Sequence, residues 1–221
     1  MFNLGAAWPI YHIGVLFMSL GTLFIISAPS GAGKTSLIHA VRSRLDHVVL
    51  SVSHTTREPR SGECHGVDYH FIDQDRFDQQ LAQGDFIEHA EVFDHCYGTS
   101  RAAVMELLDA GKDVILDIDW QGARQVREAF PETVSVFILP PSVEALRQRL
   151  CHRGLDHEDV IERRMRDARK EIEHYSEYDK LIINDLFDQA VDELTALFVA
   201  RRLTMKGQVQ RYEALLKGLL A

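Results

Sequence analysis

The sequence predicts an α/β fold in three layers, a parallel sheet covered by helices on both faces, and three observations carry that expectation. Residues 22–26, 113–118 and 134–139 are short, mainly apolar runs that do not alternate with polar residues, as strands buried on both faces require. Each is followed by a stretch with helical spacing, so strand and helix alternate along the chain. The first run also empties into a glycine-rich turn, Ser27-Ala28-Pro29-Ser30-Gly31-Ala32-Gly33-Lys34-Thr35-Ser36, that opens a helix.

After that turn, residues 37–45 place Leu37, Ile38, Val41 and Leu45 on one helical stripe, and residues 47–52 are β-branched and read as a strand. From 53 to 101 the character changes. Residues 55–63 are polar and broken by Pro59 and Gly62. Short apolar segments follow at 69–72, 86–90 and 91–93, and a helix at 75–83 sets Phe77 and Leu81 on one side. This is a small insertion of mixed α and β structure. Regular alternation then resumes with a helix at 102–110, ended by Gly111, and a strand at 113–118. A helix at 121–130 stops at Pro131, and a strand at 134–139 is closed by Pro140 and Pro141. Ser142 caps a helix through Leu146 and Leu150 that breaks at Arg153-Gly154. Residues 158–175 form a long, charged helix, 180–184 a short strand and 189–202 a closing helix.

The turn has the residues that a phosphate-binding P-loop needs. Gly31 and Gly33 let backbone N–H groups approach phosphate oxygens where a Cβ would obstruct. Lys34 supplies a point charge for β- and γ-phosphates, and the Thr35 hydroxyl is placed to ligate Mg2+. The helix that follows adds the partial positive charge of its N-terminus. Ala28 stands where the general pattern has glycine. A nucleoside triphosphate is the expected ligand. In the insertion, Arg57 and Arg60 lie three apart in a proline-bent loop, and two planar guanidiniums there can fork around one phosphate.

Composition narrows the partners. At 221 residues, with 46% hydrophobic and 26% charged residues, the chain is long enough for one compact domain with an inserted unit. A formal charge of −9 disfavours nucleic acid as the partner, because phosphate backbones select basic surfaces. Three widely spaced cysteines, Cys64, Cys96 and Cys151, define no disulfide framework and fit a reducing, cytoplasmic compartment. Residues 1–33 carry no Lys, Arg, Asp or Glu, yet glycines, Pro9 and His12 make them a poor membrane span. Residues 1–20 are read as an N-terminal extension, with Met18 as the start of translation and residues 1–17 dispensable. No membrane partner is expected, and the oligomeric state is not encoded in any visible pattern.

At this point the sequence resembles the guanylate kinase family, over about residues 21–202. The resemblance rests on residues 27–34, on Ser53-His54-Thr55-Thr56-Arg57-Glu58-Pro59-Arg60, and on Gly66-Val67-Asp68-Tyr69. It extends to Phe86-Ile87-Glu88-His89-Ala90, Tyr97-Gly98-Thr99 and Asp117-Ile118-Asp119-Trp120-Gln121-Gly122. In that family Ala-Pro-Ser at the start of the loop is a familiar variant. The resemblance implies a P-loop core (21–52, 102–145 and 175–221), a GMP-binding insertion (53–101) and a helical lid (146–174).

The implied reaction is reversible transfer of the γ-phosphoryl group of MgATP to GMP. ATP would meet Ala28, Pro29, Ser30, Gly31, Ala32, Gly33, Lys34 and Thr35, with Arg153 and Asn184. The GMP phosphate would be held by Ser53, Arg57, Arg60, Tyr69 and Tyr97. Guanine would be read by Glu88 and Thr99: an ionised carboxylate accepts from both N1–H and N2–H, whereas adenine would present it a lone pair. Asp119 would organise the GMP side, and Asp117, with Thr35, the magnesium shell. Arg149, Arg153 and Arg164 match arginines that close over the ATP phosphates, so the catalytic set is Lys34, Arg57, Asp119, Arg149, Arg153 and Arg164. Arg163, Arg166 and Lys170 alternate with acids and read as a solvated face. Two other readings share the fold: a catalytically silent interaction module, and a kinase for another phosphorylated acceptor such as a ribose phosphate. The intact Gly33-Lys34-Thr35 speaks against the first, and Glu88 with Thr99 against the second.

Overall fold

The structure, a computed structural model, describes residues 21–92, 94–151 and 158–221. The extension at 1–20, the end of the 91–93 segment and the break at Arg153-Gly154 lie outside the described residues. In chain order the elements are β1 (Leu23–Ser27), α1 (Lys34–Arg44), β2 (Val48–Leu50), β3 (His54–Thr55), β4 (His70–Phe71), α2 (Gln74–Gln83), β5 (Phe86–Val92) and β6 (His95–Ser100). They continue with α3 (Arg101–Asp109), β7 (Asp113–Asp117), α4 (Trp120–Ala129), β8 (Val134–Leu139), α5 (Val143–Cys151), α6 (Glu158–Ile172), β9 (Lys180–Ile183), α7 (Phe187–Arg202), α8 (Met205–Arg211) and α9 (Glu213–Leu220).

The predicted parallel sheet is present, in the order β2-β7-β1-β8-β9 with every pairing parallel. Alternation along each strand sorts its apolar residues onto two faces. Phe24, Ile26, Ile115, Val136 and Ile138 turn toward α1 and α7, where they meet Leu37, Val41, Leu194 and Phe198. Leu23, Ile25, Val114 and Leu116 turn the other way, onto Val104 and Leu108 of α3 and Ala123 and Val126 of α4. Both faces are dry, which is why the strand sequences show no polar alternation.

The insertion forms a second sheet, β4-β3-β6-β5, of mixed direction. The sequence divides residues 86–93 into two segments. The structure joins 86–92 into one strand, because cross-strand pairing runs on through Ala90 with Tyr97, Glu91 with Cys96 and Val92 with His95. The two-residue strands β3 and β4 carry too little pattern to be read. Helix α1 starts at Lys34, three residues before the apolar stripe, since Gly33 at φ 93 turns the chain into the helix. At the other end α6 stops at Ile172 and a 3-10 turn at Tyr175–Glu177 follows.

One buried ion pair ties the far end of the sheet to the closing helix. Asp113 at the start of β7 is 1% exposed, accepts from the Thr22 N–H at 2.9 Å, and pairs with Arg202 Nε at 2.6 Å. Arg202 also donates to the Gly111 carbonyl at 2.9 Å. Replacing Asp113 by Ala strands the Arg202 guanidinium and a strand N–H, so chemical denaturation should show a loss of about 3 kcal/mol. A loss below about 1 kcal/mol would show that this pair does not anchor the helix.

Candidate nucleotide site

The site lies at the carboxyl ends of the strands, where β1 sits between β7 and β8 and the chain leaves in different directions. Ser27, which ends β1, donates its hydroxyl to the Ile118 carbonyl at 2.6 Å and so fixes the mouth of the loop against β7. The glycine-rich turn then passes through Gly31 and Gly33, both at φ near +92, a region closed to most side chains. Asn184, just past β9 and buried, donates Nδ2–H to the Ala32 carbonyl at 2.7 Å. A Cβ on Gly33 would come within 2.4 Å of that amide. The loop is thus held from outside by Asn184, and within it the Ala32 N–H donates to the Pro29 carbonyl at 3.0 Å.

Lys34 reaches from the start of α1 to an ion pair with Asp117 at the end of β7, and its side chain is one-fifth exposed. Burial penalises the ammonium, but Asp117 and Glu171 outweigh that and leave its pKa raised. Thr35 is exposed in the first turn of α1. Asp117 and Thr35 therefore stand on adjacent elements at the loop, hard oxygen donors of the kind Mg2+ takes alongside phosphate and water. Among the described residues no cluster of three or more His, Cys, Asp or Glu could hold a metal by itself.

The lid arginines have definite partners. Arg149 donates to the Asn184 carbonyl at 2.8 Å and to the Ala32 carbonyl at 3.4 Å, so it braces the loop backbone. Arg164 donates to Ser30 Oγ at 3.1 Å. Arg153 lies outside the described residues. Arg147, which the sequence leaves without a role, joins α5 to α6 through Glu158 and Glu162.

In the insertion, Arg57, Tyr69 and Tyr97 meet. The Arg57 guanidinium lies 5.5 Å from the centre of the Tyr69 ring, and the two tyrosine rings are 6.0 Å apart. Hydrogen bonding to Glu63, then to Tyr97, raises the Arg57 pKa further. Burial pushes the Tyr69 hydroxyl up as well, and the charges of Asp117 and Lys34 act on it in opposite senses, Asp117 raising and Lys34 lowering it. The Arg60 side chain is exposed, while its backbone N–H donates to Glu63 at 2.7 Å.

Behind these groups runs a polar chain: Ser53 Oγ lies 3.2 Å from Thr99 Oγ1, which donates to Glu88 Oε1 at 2.5 Å. Ser53, expected to hold the acceptor phosphate, lies in hydrogen-bond reach of Thr99. The Thr99 hydroxyl, expected to serve a base, donates to Glu88. Burial pushes the Glu88 carboxyl up to about 7, against the opposing pull of the Thr99 bond, and nearby Asp119 adds to the rise. Asp119 itself caps α4, accepting from Gln121 N–H at 3.0 Å and Gly122 N–H at 3.1 Å.

Two carboxylates in the site escaped sequence reasoning. Glu63 holds Arg57 Nη2 through both oxygens, at 2.9 and 3.0 Å. Glu171 accepts from the Ser30 N–H at 3.2 Å, inside the glycine-rich loop, and burial pushes it up to about 7. A signal for Glu171 does exist: it sits seven residues, two helical turns, from Arg164 and beside the buried Ala168, on the inner face of α6.

Comparisons with known proteins agree with this geometry. Residues 21–201 match the family model described as guanylate kinase. Guanylate kinase of Chromohalobacter salexigens is 60% identical over 203 residues, 92% of this chain and 94% of that protein. Guanylate kinase of Alkalilimnicola ehrlichii is 58% identical over 90% of this chain and 98% of its own length. A crystal structure of guanylate kinase from Anaplasma phagocytophilum superposes with a TM-score of 0.69 at 35% identity, covering 85% of this chain and 89% of that one.

The buried Glu88 makes stability depend on pH with a definite sign. Between the ordinary 4.5 and about 7 the folded chain keeps a proton that the unfolded chain has released. The associated stability is full below 4.5 and lost as pH rises through about 7. His54 acts oppositely: burial lowers it to about 4, so stability falls as pH drops from 6.5 toward 4. Glu88→Gln should therefore lose up to about 3 kcal/mol less than the parent between pH 4.5 and 7.5 in paired denaturation curves. Parallel curves would show that Glu88 does not hold its proton there.

Proposed function

Because this chain belongs to the guanylate kinase family and is an ATP-dependent nucleoside monophosphate kinase, we propose that its residues carry the γ-phosphoryl group of ATP to GMP at the site just described. The observation that supports the assignment is that Tyr69, in contact with Arg57 and Tyr97, is also within electrostatic reach of Lys34 and Asp117 at the glycine-rich loop.

The glycine-rich loop, with the Ser30 N–H once Glu171 gives way to phosphate, and the ammonium of Lys34 bind the ATP phosphates and stabilise charge on the transferred group. Thr35 and Asp117 are the residues that would hold Mg2+, which when bound neutralises β- and γ-oxygens. Arg57, Arg60, Tyr69 and Tyr97 orient the GMP phosphate so that one of its own oxygens attacks in line; no covalent enzyme intermediate is needed. Glu88, once ionised, accepts from guanine N1–H and N2–H, and Thr99 then turns its hydroxyl from the carboxylate to O6. Asp119 fixes the first turn of α4 beside Glu88. Arg149 and Asn184 brace the loop, and Arg164, with Arg153, completes the charge around the phosphates. Lid and insertion close over the pair to exclude water, which would otherwise take the phosphoryl group.

The product, GDP, assigns the chain to purine nucleotide recycling. Three unpaired cysteines support a cytoplasmic setting, and no helix among the described residues is long and apolar enough to cross a membrane.

The direct test is ADP formation from MgATP with GMP, AMP, CMP or UMP as acceptor. Turnover with GMP alone is expected, and Lys34→Ala should lower it by about 10²-fold or more. Equal turnover with AMP would remove Glu88 from base selection, and a near-normal rate in the Lys34 variant would show that the loop has been misread.

A further inference from the structure

Gly122 sits in the first turn of α4, fully inside the helix, with a backbone that does not enter the left-handed region. Glycine has no conformational reason to be there, and alanine is the better helix former. The reason lies across the helix surface. A Cβ on Gly122 would stand 2.4 Å from Glu88 Oε2, 3.0 Å from its Cδ and 3.4 Å from its Cγ. Its three nearest neighbours are all atoms of one side chain.

That side chain cannot simply step aside. Thr99 holds its other oxygen at 2.5 Å. The backbone beside it is fastened to the same helix: Gln125, three residues after Gly122, accepts from the His89 N–H at 3.1 Å and donates to the His89 carbonyl at 2.7 Å. Because β5 is an edge strand, Gln125 takes the hydrogen-bonding place that a further strand would have filled. Helix α4 thus fixes where the strand runs, and Gly122 leaves the gap into which the carboxylate folds.

We infer that Gly122 is a specificity-determining position, acting through Glu88: the missing side chain lets the carboxylate lie flat against α4 at the depth needed to meet the base of the acceptor nucleotide. The inference rests on the guanine-reading role given to Glu88 above. A Cβ would drive the carboxylate outward into the space of the base, while the backbone of both elements stays in place. The ATP side is untouched, since the glycine-rich loop and Lys34 belong to other elements.

The experiment is Gly122→Ala, made alone and in a Glu88→Asp background, with steady-state kinetics for both substrates and thermal denaturation. The single variant should raise KM for GMP about tenfold or more, narrow the preference for GMP over AMP, and change KM for ATP by less than about twofold. Its Tm should equal or exceed that of the parent, because alanine favours the helix. In the Glu88→Asp background, where the shorter side chain no longer reaches Gly122, the added methyl should change KM for GMP by less than about twofold. An unchanged KM for GMP in the single variant, or an equal rise in both backgrounds, overturns the inference. So does a joint rise of both KM values with a fall in Tm, which marks general damage. A parent that turns over no GMP would overturn the functional reading instead. The pH–stability curve then still tests Gly122: displacing Glu88 toward water should flatten it as Glu88→Gln does, and an unflattened curve overturns the inference.

Discussion

The donor half of the site depends on one buried hydrogen bond, from Asn184 to the carbonyl of Ala32. A loop whose N–H groups must point inward to phosphate turns carbonyls such as that of Ala32 outward, and a buried carbonyl without a partner is costly. Asn184 answers that cost, and the fit is close enough that only glycine can occupy position 33. Since Asn184 follows β9 and Arg149 braces both its carbonyl and that of Ala32, the loop is joined to the last strand and to α5. Elements far apart in sequence thereby share the task of holding the glycine-rich loop.

The cations gathered at the glycine-rich loop and at Arg57 would by themselves repel each other. Lys34 and Arg57 each have a carboxylate at hand, Asp117 and Glu63, while Glu63 also holds the Arg60 N–H and Glu171 the Ser30 N–H. Phosphate binding then becomes an exchange of anions, with much less net change in local charge than a bare cradle would undergo. The raised pKa of Glu171 fits that role, because a carboxyl that can hold a proton near neutral pH leaves the loop at lower electrostatic cost than a fixed charge.

What the sequence discloses and what it hides follow from the range of the interactions. The parallel sheet and the loop Ser27–Ser36 are legible because apolar periodicity and backbone permissiveness are local properties. Lys34 is legible from the motif and Arg57 from its proline-bent loop, whereas Tyr69 and Glu88 become legible through family resemblance, since nothing in the residues around Glu88 alone separates it from a surface carboxylate. Glu171 gives only the faint signal of its place on α6 because its partner is set by tertiary contact, Ser30 lying 141 residues away, and Glu63 is hidden because the irregular turn that folds it back onto Arg57 has no periodicity. The short β3 and β4 fall below the length at which any pattern exists, and the unity of β5 shows only in its pairing with β6.

The base selection proposed for Glu88 sets stability against function at one residue. Glu88 is 3% exposed and held near its neutral form, the state in which an empty, dry pocket best tolerates it. Reading guanine needs the ionised form, so the base must supply through two hydrogen bonds what burial took away. Discrimination rests on the ionised form, which only accepts and so finds two donors on guanine and a lone pair at N1 of adenine. The neighbours of Glu88 serve the same end. Thr99 keeps the group oriented while it waits, Asp119 disfavours early ionisation, and Gly122 gives the carboxylate room without giving it water. A more stable pocket could be built by removing the acid altogether, and it would no longer distinguish the purines.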